Sequence, residues 1–171
     1  ESLQLEREAT APTYLEVQTL KLGEQTVGVA TWTLETDADG DVRSLLLNSM
    51  LVPAGDGTVT TQDTVHLQWM KPDGRLLNAM HVVASNDETQ TQLELRPAED
   101  SEQWRVTGTF MGKPLEVDVG TTVPASVLTQ LRLRRDVLAT ANPVGKQAVD
   151  QSWSAADPTR LLATTFRVTG K

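Results

Sequence analysis

His66 and His81 are the only histidines in the chain, so an imidazole pair is the first place to look for chemistry. "TVHLQWM" and "RLLNAMHVV" each alternate like strands, and "KPDG" (Lys71 to Gly74) between them carries the Pro and Gly of a tight turn. Setting Lys71 opposite Gly74 places Trp69 against Leu76, Leu67 against Asn78 and His66 against Ala79. His81 then becomes a diagonal neighbour of His66 on the same face, about 7–8 Å away. Two imidazoles begin a metal site, but a site needs three or four ligands. Asp63 lies an odd number of residues from His66 and so points to the other face, while Thr64 and Gln68 are poor ligands. The pair reads as two strand histidines, and no metal is expected.

"DADGD" (Asp37 to Asp41) spaces its aspartates like the first ligands of a calcium loop. The twelfth position of such a loop should be Glu; here it is Asn48, inside a strand pattern. The run reads as a hairpin turn, since Asp and Gly tolerate the left-handed backbone that hairpins need.

Nucleophilic chemistry has no better footing. No serine stands in a Gly-x-Ser-x-Gly elbow. The chain has no cysteine, which removes thiolates, disulfides and cysteine-ligated metals. Its 23 acidic residues are dispersed, and its 11 glycines fall singly at turns, so neither a carboxylate pair nor a phosphate-binding loop stands out. The sequence is read as non-enzymatic, with no cofactor. Arg132, Arg134 and Arg135 form the one basic cluster, late in a helical stretch where they complement the dipole. A formal net charge of −8 opposes nucleic acid and anionic membrane surfaces, and 4% aromatic residues is few for base or sugar stacking.

The elements around these residues are mostly strands. "YLEVQTLKL" and "TVGVATWTLE" flank a turn at Gly23-Glu24. Further turns are expected at Asp37–Asp41, Pro53–Gly57, Lys71–Gly74, "PAEDS" and "MGKP", which makes eight strands by Val119. Pro124 suits a first helical position, and one helix is expected over Ala125 to Ala139. "QAVDQSW" and "RLLATTFRVTG" return to strand. "WMKPDGRLL", "WSAADPTRLL" and the looser "WTLETDADGDVRSLLL" share a phrase: Trp, an Asp-bearing turn, then Leu-Leu. No fixed period separates Trp32, Trp69 and Trp153, so this is read as a hairpin recipe pairing Trp with Leu, not as a tandem repeat. The expected fold is a single mainly β domain over 1–171. It is an antiparallel curved sheet or half-barrel with one packed α-helix (about 125–139) on its concave side, and the tryptophans line the core or rim. No apolar run approaches the ~20 residues that span a bilayer.

"LKLGEQTVGVATWTL", "WMKPDGRLL", the helix with "LRLRR" and the late "FRVTG" together resemble bacterial envelope half-barrel domains, the LolA/LolB-type lipoprotein carriers and similar periplasmic domains. The resemblance is loose, spans most of the chain and carries over no functional residue. It implies a periplasmic or extracellular location. The opening "ESLQLEREA", with no initiator Met, is read as a mature or trimmed form. The function expected is binding of an apolar, lipid-like ligand in a pocket lined by Leu67, Trp69, Leu76, Met80, Leu128 and Leu131. The alternative is a structural or protein-interaction module of an envelope assembly working through a sheet edge. A hydrolase ranks last.

Overall fold

The computed structural model describes residues 14–53, 56–99 and 102–169. The opening segment read as a trimmed terminus lies outside them, as do parts of the turns expected at Pro53–Gly57 and "PAEDS". Eight strands follow one another as β1 (Tyr14–Leu22), β2 (Gln25–Thr36), β3 (Val42–Pro53), β4 (Val59–Met70), β5 (Leu76–Ser85), β6 (Glu88–Pro97), β7 (Trp104–Phe110) and β8 (Lys113–Gly120). Each pairs antiparallel with its neighbour in sequence, giving one curved sheet in the order β1 to β8. The sheet does not close into a barrel. After it come the helix α1 (Val127–Leu138) and a separate hairpin of β9 (Gln147–Ser154) and β10 (Asp157–Arg167). The mainly β, antiparallel class with one helix is the one expected from the strand pattern and its short turns.

Alternation decides which side of each strand is buried. In β6, Thr91, Leu93 and Leu95 are buried and their neighbours exposed. Leu95 pairs with Val106 of β7, which pairs with Val117 of β8. These residues share one face with Leu76, Ala79 and Trp104, and Trp153 of β9 completes the buried cluster, with Leu161 and Ala155 packed against it. The layer over the sheet is therefore the β9–β10 hairpin. The helix buries no residue and meets the rest of the molecule at its N-terminus and along β9. The helix is thus the lesser part of that layer. Its apolar positions are broken by Arg132, Arg134 and Arg135, whereas β9 delivers a whole indole to the sheet.

The β4–β5 register also differs from the expected one. The turn closes through Lys71 N–H to the Arg75 carbonyl (2.9 Å) and Gly74 N–H to the Lys71 carbonyl (2.8 Å). The turn is thus one residue longer than "KPDG" alone would make it, and a bulge follows. Met70 pairs with Leu76, Trp69 with Asn78, Leu67 with Met80 and His66 with His81. The bulge absorbs one of the consecutive leucines and turns Leu76 into the core, where it is 3% exposed. The Trp–Leu recipe does hold elsewhere: Trp32 pairs with Leu46 and Trp153 with Leu161. Trp104 and Trp153 are buried, while Trp32 and Trp69 are half-buried.

Candidate functional site

The two histidines lie on the covered face, directly opposite each other rather than diagonally, with ring centroids 5.7 Å apart. Trp153 lies over them from the hairpin, stacked on His66 at 6.2 Å and edge-on to His81 at 6.5 Å. Gln68, two residues along β4 on the same face, joins this cluster to the helix. Its Oε1 accepts the Val127 N–H at 2.8 Å, and its Nε2 lies 3.1 Å from His66 Nε2. With the amide oxygen engaged by a backbone donor, the amide nitrogen must donate to the ring. His66 Nε2 is then the acceptor and the ring proton sits on Nδ1. Burial, with the nearby His81 second, holds the His66 pKa down to about 4, and burial lowers that of His81. Both rings are thus neutral packing groups at neutral pH. No group of three or more His, Asp or Glu side chains among the described residues is arranged to hold a metal.

The N-terminus of α1 clasps the β4–β5 turn. Ser126 caps the helix, accepting the Thr129 N–H at 3.2 Å, and its hydroxyl donates to the Gly74 carbonyl at 2.6 Å. The Thr129 hydroxyl donates to the same carbonyl at 3.0 Å. Gly74 holds a positive φ of 91°, and a Cβ there would press on the Thr129 side chain, so the clasp requires glycine. The basic cluster is spent internally. Arg132 donates to the Pro72 and Asp73 carbonyls, Arg134 lies 5.4 Å over the Phe166 ring, and Arg135 pairs with Asp136. The aspartates of the β2–β3 turn are also engaged internally. Asp37 accepts the N–H groups of Asp39 and Asp41, and Asp41 pairs with Lys71 at 2.8 Å.

The six residues expected to line a pocket are not brought to one place. Leu67 and Met80 are direct cross-strand partners, and Trp69 follows Leu67 on the same face. That face is the one turned away from the hairpin. Leu76 is buried on the opposite face, and Leu128 and Leu131 are half-buried on α1, beside the covered face. Of the six, only Met80 lines either of two larger depressions in the surface. One of about 470 Å³ lies between the β4–β5 turn and the start of α1, lined by Asp73, Arg75, Val123 and Gln151 among others. Another of about 340 Å³ is lined by Met80, Gln92, Glu94, Thr107 and Thr109.

What the strand registers do bring together is an apolar field on the uncovered face. One row runs across the eight strands as Leu15, Thr33, Leu45, Leu67, Met80, Glu94, Thr107 and Glu116. The next runs as Val17, Thr31, Leu47, Val65, Val82, Gln92, Thr109 and Pro114. Both rows are largely apolar from β1 to β5 and mostly polar from β6 to β8. Val29, Leu51 and Trp69 extend the field on the same face. Leu15, Val17, Val29, Leu47 and Leu51 are among thirteen large apolar residues exposed among the described residues, against nine buried apolar ones. The signal in the sequence is "SLLLNSMLV" in β3. A strand that must be apolar on both faces reads as a nearly continuous run rather than an alternation.

No protein-family model, curated protein or solved structure matches this chain.

Proposed function

We propose that this chain is a non-enzymatic binding protein whose working surface is the uncovered apolar half of its main sheet, and that it serves outside the cytoplasm in a bacterial envelope. The observation that carries the reading is the apolar field of β1 to β5 on the face away from the hairpin. Contiguous apolar surface beyond a few hundred Å² marks a place where something binds. A broad field of this kind fits the apolar face of a protein, or a lipid-like molecule laid across the strands, better than a small ligand held in a pocket. Both large depressions are partly polar-lined, and of the six residues first picked out only Met80 touches one. The non-enzymatic reading is supported by the use of the histidines, arginines and turn aspartates in internal contacts. The envelope location is supported by the resemblance to the LolA/LolB-type domains, and fractionation of the source cells with a specific antiserum tests it.

The surface itself is tested with the double variant Leu45→Glu/Leu67→Glu. Binding of a fluorescent fatty-acyl probe and self- or partner association are each compared with the parent chain, and far-UV circular dichroism checks the fold. At least one of the two activities should fall by an order of magnitude or more, since each charge must be desolvated against an apolar partner. A folded double variant that matches the parent in both removes this face as the working surface.

A further inference from the structure

We infer that the occupant of this face is a second copy of the chain, packed sheet on sheet about a two-fold axis. The inference rests on the reading of the face as a working surface and names its partner. Size comes first. Five strands about 4.8 Å apart, and β3 from Arg43 to Leu51 at about 3.3 Å per residue, make a field of roughly 20 by 26 Å. With side-chain relief, that approaches the ~800 Å² that each partner contributes to a stable interface. A single acyl chain would cover only a strip of it.

Charge comes second. The chain carries a net −8, so a like copy is admitted only across a face that holds little of that excess. The interior of the field, Leu45, Leu47, Val65, Leu67 and Val82, has no charge. Arg43, at one end, is paired with Glu35. On the polar half, Arg105 bonds Asp118 at 2.7 Å and holds its carboxyl below the usual range. Asp63, opposite Ser49, adds one carboxylate between the Leu47 and Leu51 rows, and Glu94 borders the field on β6 with Arg96 two residues along the same face, so the border carries both signs, as an isologous interface requires. A strongly basic or acidic partner would call for one sign.

The third observation is where the chain's own core stops. The buried cluster spans β5 to β8 and the hairpin, while from β1 to β4 only Ala30, Ser44 and Met70 are buried among the described residues. A sheet needs a second layer against each apolar face. The β9–β10 hairpin is that layer for one face over β5 to β8; a copy of β1 to β5, aligned within about 30°, is that layer for the other face.

Sedimentation equilibrium of the unmodified chain through the micromolar range is the direct test. Twice the monomer mass is expected. Leu67→Glu, at the centre of the field, should weaken the association at least tenfold. So should Leu47→Glu, at a position already 41% exposed and therefore tolerant of charge in the monomer. Leu138→Glu, exposed on α1, should leave the dimer intact. A chain that stays monomeric throughout overturns the second copy, as does a dimer indifferent to both sheet substitutions. A monomer whose acyl-probe binding is nonetheless lost in Leu67→Glu keeps the face as the working surface with a different occupant. A monomer with no such loss ends both readings.

Discussion

His66 is the residue whose chemistry the fold alters most. Its ordinary pKa of 6.5 falls to about 4 because the ring is desolvated beneath Trp153 and faces His81 across the strands. The groups around it are Leu46 of β3, Gln68 and Thr64 of its own strand, His81 of β5 and Trp153 of β9, and none of these is an acid that would stabilise an imidazolium. Between pH 6.5 and about 4 the unfolded chain binds the proton and the folded chain does not. Stability therefore rises with pH through that window, falls as the pH drops across it, and stops falling once both states are protonated. The full loss from His66 is on the order of 3 kcal/mol, and His81, lowered in the same direction, adds to it. Urea unfolding followed by tryptophan fluorescence at about pH 7.5 and about pH 5 should show the difference, and His66→Gln should shrink it. Equal stability of the parent at the two pH values would contradict the buried neutral pair. Ser126 makes a smaller contribution of its own. Ser126→Ala removes both the cap of α1 and a buried bond to the Gly74 carbonyl, and should cost about 1–2 kcal/mol in the same assay.

Among the elements, the β9–β10 hairpin covers more than the helix does, because it brings a buried Trp153 to the sheet while α1 buries no residue. Trp153→Ala should cost about 3–5 kcal/mol by emptying the space over Leu76 and the histidines. It should also let the His66 pKa climb back toward 6.5, which a proton NMR titration of the two imidazoles reads directly. Destabilisation without that climb would mean that desolvation by the indole is not what suppresses the charge. The elements themselves were legible in the sequence because turn formers and alternation are local signals. The helix, capped by Ser126 and Ala139, ends close to the expected bounds of Ala125 and Ala139. Register was less legible. A bulge after Leu76 depends on how two adjacent leucines divide between faces, and no local preference decides that. The bulge left Leu67 and Trp69 on one face together and sent Leu76 to the other, which dispersed the expected pocket.

For the whole molecule, the question left open by the sequence was which face of the sheet this chain covers. Leu45, Leu46 and Leu47 say that β3 needs apolar company on both sides, but the layer that this chain supplies comes from β9 and β10, far along the chain. Nothing local to β3 specifies that these strands sit over the β5–β8 half. The candidate surface emerges only once the registers are known, as the part of the apolar pattern with no layer over it. The tryptophan phrase was legible as structure for the same reason that it misled as a pocket: Trp–Leu pairing across a hairpin is local, while the side on which the pair falls is set by distant strands.

The meander has a kinetic consequence. Every pairing in the large sheet joins strands that are adjacent along the chain, so each can zip from its own turn with a short loop to close. Seating Trp153 over His66 and His81 instead closes a long loop and needs the sheet already assembled. The indole at position 153 should therefore be a late reporter of folding. Until it docks, the nascent sheet shows water an apolar patch on each side.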